Sequence, residues 1–183
     1  MARSQINVNI ANQFDLPLPP AAAWVALMNV PETAACFPGA SDIVQTGPDQ
    51  YTGKVTVKLG PLTMVFAGRM QLESRDDAAH SATIKATWSE TRGRGNAVTV
   101  TQFRLAGLDA GAEATRASLN TDLQLAGQVA QYGRASGMLA VLSGQLVADF
   151  AKRLHARLSG AALEAPAPIS ALGVVAKALL RRN

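Results

Sequence analysis

"GKVTVKLGPLTMVFAGRMQL", residues 53–72, alternates apolar and polar side chains, pauses at Leu59-Gly60-Pro61-Leu62, and alternates again. Period-2 alternation marks a strand whose two faces see different surroundings, and a Gly-Pro pair between two such runs marks a turn. The stretch predicts an antiparallel hairpin. Val55, Val57, Leu59, Leu62, Met64, Phe66, Met70 and Leu72 share one face, and Lys54, Thr56, Lys58, Thr63, Arg69, Gln71 and Glu73 share the other. What the apolar face covers decides the fold: a solid core, or a space kept for something else.

Upstream, residues 4–15 alternate in the same way, with Ile6, Val8, Ile10 and Phe14 opposite Gln5, Asn7, Asn9 and Gln13, which reads as a half-buried strand. Pro19-Pro20 opens a short helix, since proline is tolerated in a first turn where its missing N–H is not needed. A second short helix runs through "PETAACF" and ends at Pro38-Gly39. Downstream, turns at Gly47-Pro48-Asp49, at Asp76-Asp77 and in "RGRGN" separate further alternating runs. The strand "AVTVTQFRL" is ambiguous, because Val98 and Val100 point opposite to Phe103 and Leu105. From about Val129 to Leu158 the period changes to near 3.6, with Leu139, Leu142, Leu146, Phe150, Leu154 and Leu158 in one stripe. Thirty residues of helix would be roughly 45 Å long and need a wide sheet to lie against. A strand, two short helices, about six antiparallel strands and one long terminal helix form an α+β arrangement in which the apolar strand faces look toward that helix.

Composition sets the remaining bounds. The chain has 183 residues, 48% of them hydrophobic and 16% charged, which suits one globular domain with a core. Its single cysteine, Cys36, permits no internal disulfide, and "MARSQINVNI" lacks the apolar run of a secretory signal. A reducing, cytoplasmic location is expected. Residues 1–164 carry 14 basic and 13 acidic side chains, and the remaining basic charges are Lys177, Arg181 and Arg182 in the tail. A nearly neutral body does not present the basic face that nucleic acid requires.

Three features point to a cavity. Asn12, Thr99, Thr101 and Thr121 fall on inward positions, where a fully packed core favours no polar group. Gly133, Gly137 and Gly144 sit in the long helix at a cost of about 1 kcal/mol each relative to alanine, which close approach of a backbone or a ligand would explain. Met28, Met64, Met70 and Met138 line the same region, and methionine adapts to irregular surfaces. Each feature has a structural reading beside the functional one: a threonine satisfied by a carbonyl, a glycine that lets two elements pack, a methionine that fills core.

Catalytic constellations are sparse. His80 at a turn and His155 near the helix end adjoin no nucleophile, and with Cys36 they show no paired metal-ligand spacing. Cys36, among Ala34, Ala35 and Phe37, reads as a buried small hydrophobe. "TRGRGNA" at 91–97 lacks the glycine and lysine of a phosphate loop and reads as a hairpin turn. Glu90, on the inward parity of its strand, and Arg104 are the charged candidates for a general acid or base, both near strand ends where solvent is the simpler destination.

After "EAPAP", residues 169–180, "ISALGVVAKALL", are largely apolar and Arg181 and Arg182 follow. Twelve residues span about 18 Å of helix, short of a bilayer. Ile169, Leu172, Ala176, Leu179 and Leu180, with Lys177, Arg181 and Arg182 beside them, suit a helix on an anionic membrane surface, a partner's groove or the body of the protein itself. The chain thus divides into a ligand-binding domain at 1–160, an Ala/Pro linker at 161–168 and an amphipathic basic tail at 169–183.

"FDLPLPPAAAWVALMNVPETAACFPGA" at 14–40, "YTGKVTVKLGPLTMVFAG" at 51–68 and "LAGQVAQYG" at 125–133 resemble the G-subunit family of carbon monoxide dehydrogenase. That family lies in the helix-grip superfamily (SRPBCC, START-like), with polyketide cyclases and lipid-transfer domains. The resemblance covers residues 4–158 and implies a curved sheet of about seven strands wrapped on the C-terminal helix. It also implies a non-enzymatic accessory of a molybdenum hydroxylase of the carbon monoxide dehydrogenase type, with no required cofactor. On that resemblance the protein is expected to hold a quinone or similar lipid in its cavity and to help bring the enzyme to the inner face of the cell membrane. The alternative is an enzyme of the cyclase or hydrolase kind using the same pocket. From the helices, Trp24, Met28, Phe37, Met138 and Leu142 are expected to line the space. The quoted hairpin supplies Val57, Leu59, Met64 and Phe66. The later strands supply Ile84, Trp88, Thr101, Phe103, Leu119 and Thr121.

Overall fold

The quoted hairpin forms, with Leu59 opposite Leu62, Val57 opposite Met64 and Val55 opposite Phe66. The computed structural model describes residues 5–59, 61–134 and 136–160, together with the backbone of Ile169–Ser170. In chain order the elements are β1 (Gln5–Leu16), α1 (Pro20–Met28), α2 (Val30–Ala35), β2 (Ala40–Gly47), β3 (Gln50–Leu59), β4 (Leu62–Asp76), β5 (Ser81–Glu90), β6 (Gly95–Gly107) and β7 (Thr115–Gly127). They are followed by α3 (Ala130–Gly133), α4 (Ser136–Leu158) and the two-residue β8 (Ile169–Ser170).

Seven strands make one antiparallel sheet in the order β1-β7-β6-β5-β4-β3-β2. Consecutive hairpins build β2 to β7, and β1 closes against β7. Helices cover one face only, as the alternation requires. The register settles the ambiguous strand: Ala97, Thr99, Thr101, Phe103 and Leu105 of β6 face inward, opposite inward Trp88, Ala86, Ile84 and Ala82 of β5. Val98 and Val100 therefore occupy the outer face.

The long helix expected from 129 to 158 is instead two pieces. The first turn, α3, presses on the end of the sheet: a Cβ on Gly133 would lie 3.0 Å from the Ile6 Cγ2 and 3.3 Å from the Leu125 Cδ1, so close packing explains that glycine. The 23 residues of α4 then run about 35 Å and lie mainly along β1. Gly137 and Gly144 do not meet the close-approach expectation. Among the described residues a Cβ on Gly137 would meet nothing within 4 Å, and one on Gly144 only the Asn12 Oδ1 at 4.0 Å. At 100° per residue both fall on the exposed side of α4, away from Leu139, Leu142 and Leu146.

The interior is split. One apolar cluster joins α1, the C-cap of α2 and the C-terminal part of α4 to the sheet through Leu16, Trp24, Leu27, Cys36, Leu105 and Leu154. A second, at the opposite end, gathers Met64, Ala97, Leu125, Val129 and Ala130. Leu142 forms a third contact point with Val57 and Leu146, where α4 reaches β3. Residues 161–168 and 171–183, the expected linker and most of the tail, lie outside the described residues, and among those described no helix is long and apolar enough to cross a membrane.

Candidate functional site

Between the two end clusters a strip of inner-face residues belongs to neither. Ile84 on β5, Thr99 and Thr101 on β6, and Thr121 on β7 point toward the helix layer yet remain half-buried. Side chains at the centre of a seven-stranded sheet are buried when the opposite layer closes on them. Here α4 lies mainly along β1, and its Leu142 meets Val57 of β3; between those contacts Ile84, Thr99, Thr101 and Thr121 keep part of their surface exposed.

The polar groups of this strip pair with one another. Thr101 Oγ1 and Thr121 Oγ1, on directly opposed residues of β6 and β7, are 2.9 Å apart. One of the two O–H groups serves that bond, and the pair keeps a second O–H and spare lone pairs. Asn12, a diagonal neighbour of Thr121 across β1 and β7, donates its Nδ2–H to Ser143 Oγ of α4 at 2.6 Å. A polar line thus crosses an otherwise apolar face from Ser143 through Asn12 to Thr121 and Thr101. Asn12 and the threonines were legible from strand parity. Ser143 was not, because its partner lies 131 residues away.

The other expected lining residues divide by location. Trp24 is 4% exposed within the first cluster, its Nε1–H donated to Asp77 Oδ1 at 2.7 Å and its ring 5.6 Å from both Phe103 and His80. Met28, Phe103 and Leu119 pack against the same cluster, and Phe37 lies 6.4 Å from the Phe150 ring, centroid to centroid. Met64 is buried in the second cluster, with Phe66 and Trp88 beside it. Trp88 lies over Gly68, where an added Cβ would come within 2.6 Å of the indole Cε3 and closer still to the Thr87 carbonyl oxygen. Val57 and Leu142 meet where α4 reaches β3. Met138 is half-buried on α4, and the Leu59 side chain lies outside the described residues. The strip itself is bordered by Phe103 and Leu119 at one end and by Phe66 and Trp88 at the other.

Glu90 departs from the expectation. It is 4% exposed, on the inner face opposite Phe66. Its Oε2 accepts the backbone N–H groups of Arg92 at 2.9 Å and Arg94 at 3.2 Å, with the Arg94 Nε at 3.7 Å. The glycine-rich turn after β5 folds back and supplies those donors, which is why a strand-end carboxylate is buried. Burial pushes the Glu90 carboxyl up, but the Arg94 and Arg92 N–H groups, the Arg94 charge and the Val65 N–H outweigh it and hold it below the ordinary glutamate value. Among the described residues its Oε1 is buried without a hydrogen-bond partner. Arg104, the other charged candidate, is exposed on the outer face.

Cys36 is fully buried in the first cluster, and burial pushes its thiol up, partly offset by the Arg153 charge. His80 packs on Trp24 and His155 is exposed. Among the described residues no three His, Cys, Asp or Glu side chains are grouped to hold a metal. An open trough of about 1020 Å³ crosses β1, β7, β6, β5 and β4, with Gln13, Asn120, Gln102, Thr83 and Ser74 along it beside Phe103 and Leu119.

A curved antiparallel sheet closed on one side by a C-terminal helix defines a helix-grip protein, and solved structures share this architecture. A conserved protein from Geobacillus kaustophilus superposes with a TM-score of 0.71 at 17% identity, covering 85% of this chain and 96% of its own. The ZhuI aromatase/cyclase from Streptomyces sp. R1128 gives 0.56 at 15% identity, covering 87% and 100%. Norcoclaurine synthase from Thalictrum flavum, solved with dopamine and hydroxybenzaldehyde, gives 0.55 at 10% identity, covering 88% and 91%. No curated protein matches the sequence. The family model of the carbon monoxide dehydrogenase G subunit (CoxG) matches residues 13–159, and the chain belongs to that family.

Proposed function

We propose that this protein is a non-enzymatic carrier accessory to a molybdenum hydroxylase of the carbon monoxide dehydrogenase type. It takes a quinone or similar apolar lipid between the centre of the sheet and α4, and its tail brings it and its partner enzyme to the cytoplasmic face of the membrane. The observation that carries this reading is the Thr101–Thr121 hydroxyl pair, half-buried on the inner face of the sheet between two apolar end clusters, to neither of which it belongs. Sites for small apolar ligands are concave and mostly greasy, with a few polar groups that fix orientation. Covering roughly 300 Å² of apolar ligand surface would contribute about 7 kcal/mol before the costs of association. The spare threonine O–H suits a ligand carbonyl.

Purification of the full chain without detergent from membrane-containing cells, followed by organic extraction and chromatography, tests the reading. About one equivalent of a quinone or lipid per chain is expected. An extract free of apolar molecules, from protein that also takes up none on incubation with quinones, contradicts it.

One observation favours a second reading, an enzyme of the cyclase or hydrolase kind: the buried inner-face carboxylate of Glu90 with its unpartnered Oε1. The aromatase/cyclase and synthase among the structural neighbours keep company with that reading. Loss of a measured turnover in Glu90→Gln with unchanged stability would decide for it.

A further inference from the structure

β2 does not cover the whole edge of β3. Its ladder on β3 ends at Ala40 opposite Val55, and from there to Leu59 the β3 edge projects past its neighbour. The direction of the uncovered amides follows from the hydrogen bonds beside them. Thr56 N–H donates outward to Gly39 O at 2.9 Å, and strand amides alternate sides, so Lys58 N–H points to that same edge. An uncovered edge amide recruits another extended segment. Here the recruit is the chain's own C-terminal segment: Ile169–Ser170 pairs in parallel with Val57–Lys58. The pairing falls on the residue through which β3 meets α4, since Val57 packs on Leu142.

Two residues of parallel ladder supply few hydrogen bonds to set against the entropy of ordering a chain end. Such a contact is easily exchanged. The segment beyond it carries Lys177, Arg181 and Arg182 among apolar residues and no acidic side chain, so an anionic bilayer competes for it through both charge and burial.

We propose that the Val57–Lys58 edge is a latch for Ile169–Ser170, which strand pairing holds in solution and which an anionic membrane surface releases. The proposal rests on the membrane association proposed above, and it assigns that association a structural readout at the rim where α4 meets the sheet.

Amide exchange at Lys58, followed by NMR on the full chain, tests it. In solution Lys58 is expected to exchange at least tenfold more slowly than in a chain ending at residue 168, and than in Ile169→Pro, whose proline removes a ladder donor. Vesicles of phosphatidylglycerol are expected to raise the full-chain rate to that of the truncated chain, and phosphatidylcholine vesicles to leave it unchanged. Equal exchange in the full and truncated chains overturns the latch. Co-sedimentation on phosphatidylglycerol with Lys58 still protected overturns the release while leaving membrane association intact. Failure to co-sediment with Lys58 protected in solution overturns the membrane reading, and the release with it.

Discussion

Thr101 and Thr121 face each other across β6 and β7 with their hydroxyl oxygens 2.9 Å apart, on the covered face of the sheet yet in reach of solvent. A directly opposed threonine pair adds a few tenths of a kcal/mol to about 1 kcal/mol to a sheet wherever it lies. A pair at a binding surface is satisfied when empty and still has an O–H to offer. Replacing both by valine keeps the shape and removes the offer. The T101V/T121V double variant is expected to fold with little change in its urea midpoint and to bind a quinone about fivefold more weakly, the equivalent of about 1 kcal/mol for one hydrogen bond. Binding of a hydrocarbon of similar size should be unaffected. Parallel titrations with the two ligands read the difference.

Ile84 distinguishes space from core. Overpacking a filled interior costs about 1–3 kcal/mol, whereas a larger side chain in an open interval finds room. Ile84→Trp is expected to stay within about 1 kcal/mol of the parent by chemical denaturation and to lose ligand uptake. A large destabilisation would mean that the strip is already filled.

Asn12 and Ser143 tie β1 to α4 through a 2.6 Å hydrogen bond. Either Asn12→Ala or Ser143→Ala should cost about 1 kcal/mol. The double variant should cost little more than one of them, since both remove the same bond. Additive losses in a double-mutant cycle would show that the bond is not shared as described.

Acid sensitivity follows from three carboxyls held below their ordinary values. A hydrogen bond from Arg116 lowers Asp15, and the Trp24 indole N–H, then Arg75, lowers Asp77. In Glu90 the backbone N–H groups of the β5–β6 turn overcome the effect of burial. A folded-state pKa below the unfolded one contributes stability that is complete above the unfolded value and fades as pH falls through the folded one. Thermal midpoints should therefore be nearly level from neutrality down to about pH 5 and decline below it. In Asp77→Asn, calorimetry should show a shallower decline and a lower plateau. An unchanged acid slope would remove Asp77 from the account.

Most of the fold was legible because each hairpin is written locally. Period-2 runs, Gly- or Asp-containing turns and the Pro-Pro helix start all act within a few residues. Parity alone placed Asn12, Thr101 and Thr121 on the inner face. The break between α3 and α4 was not legible: Gly133 there packs on Leu125, eight residues earlier, and on Ile6 of β1, a strand at the far end of the chain. Gly137 and Gly144 misled because a glycine in a helix looks the same whether it faces a neighbour or open space. The partner that holds the Trp24 indole N–H, Asp77, lies 53 residues away and could not be read from the sequence. For Glu90 a local signal did exist: a glutamate followed by Thr-Arg-Gly-Arg-Gly can cap the turn it enters, and the two glycines allow the turn to fold back onto it.

Native mass spectrometry of the full chain, purified free of lipid and titrated with a short-chain naphthoquinone, tests the central claim most directly. The account predicts a saturable one-to-one adduct that is weakened in T101V/T121V and absent in Ile84→Trp. A folded protein that keeps its apo mass at every quinone concentration would contradict it.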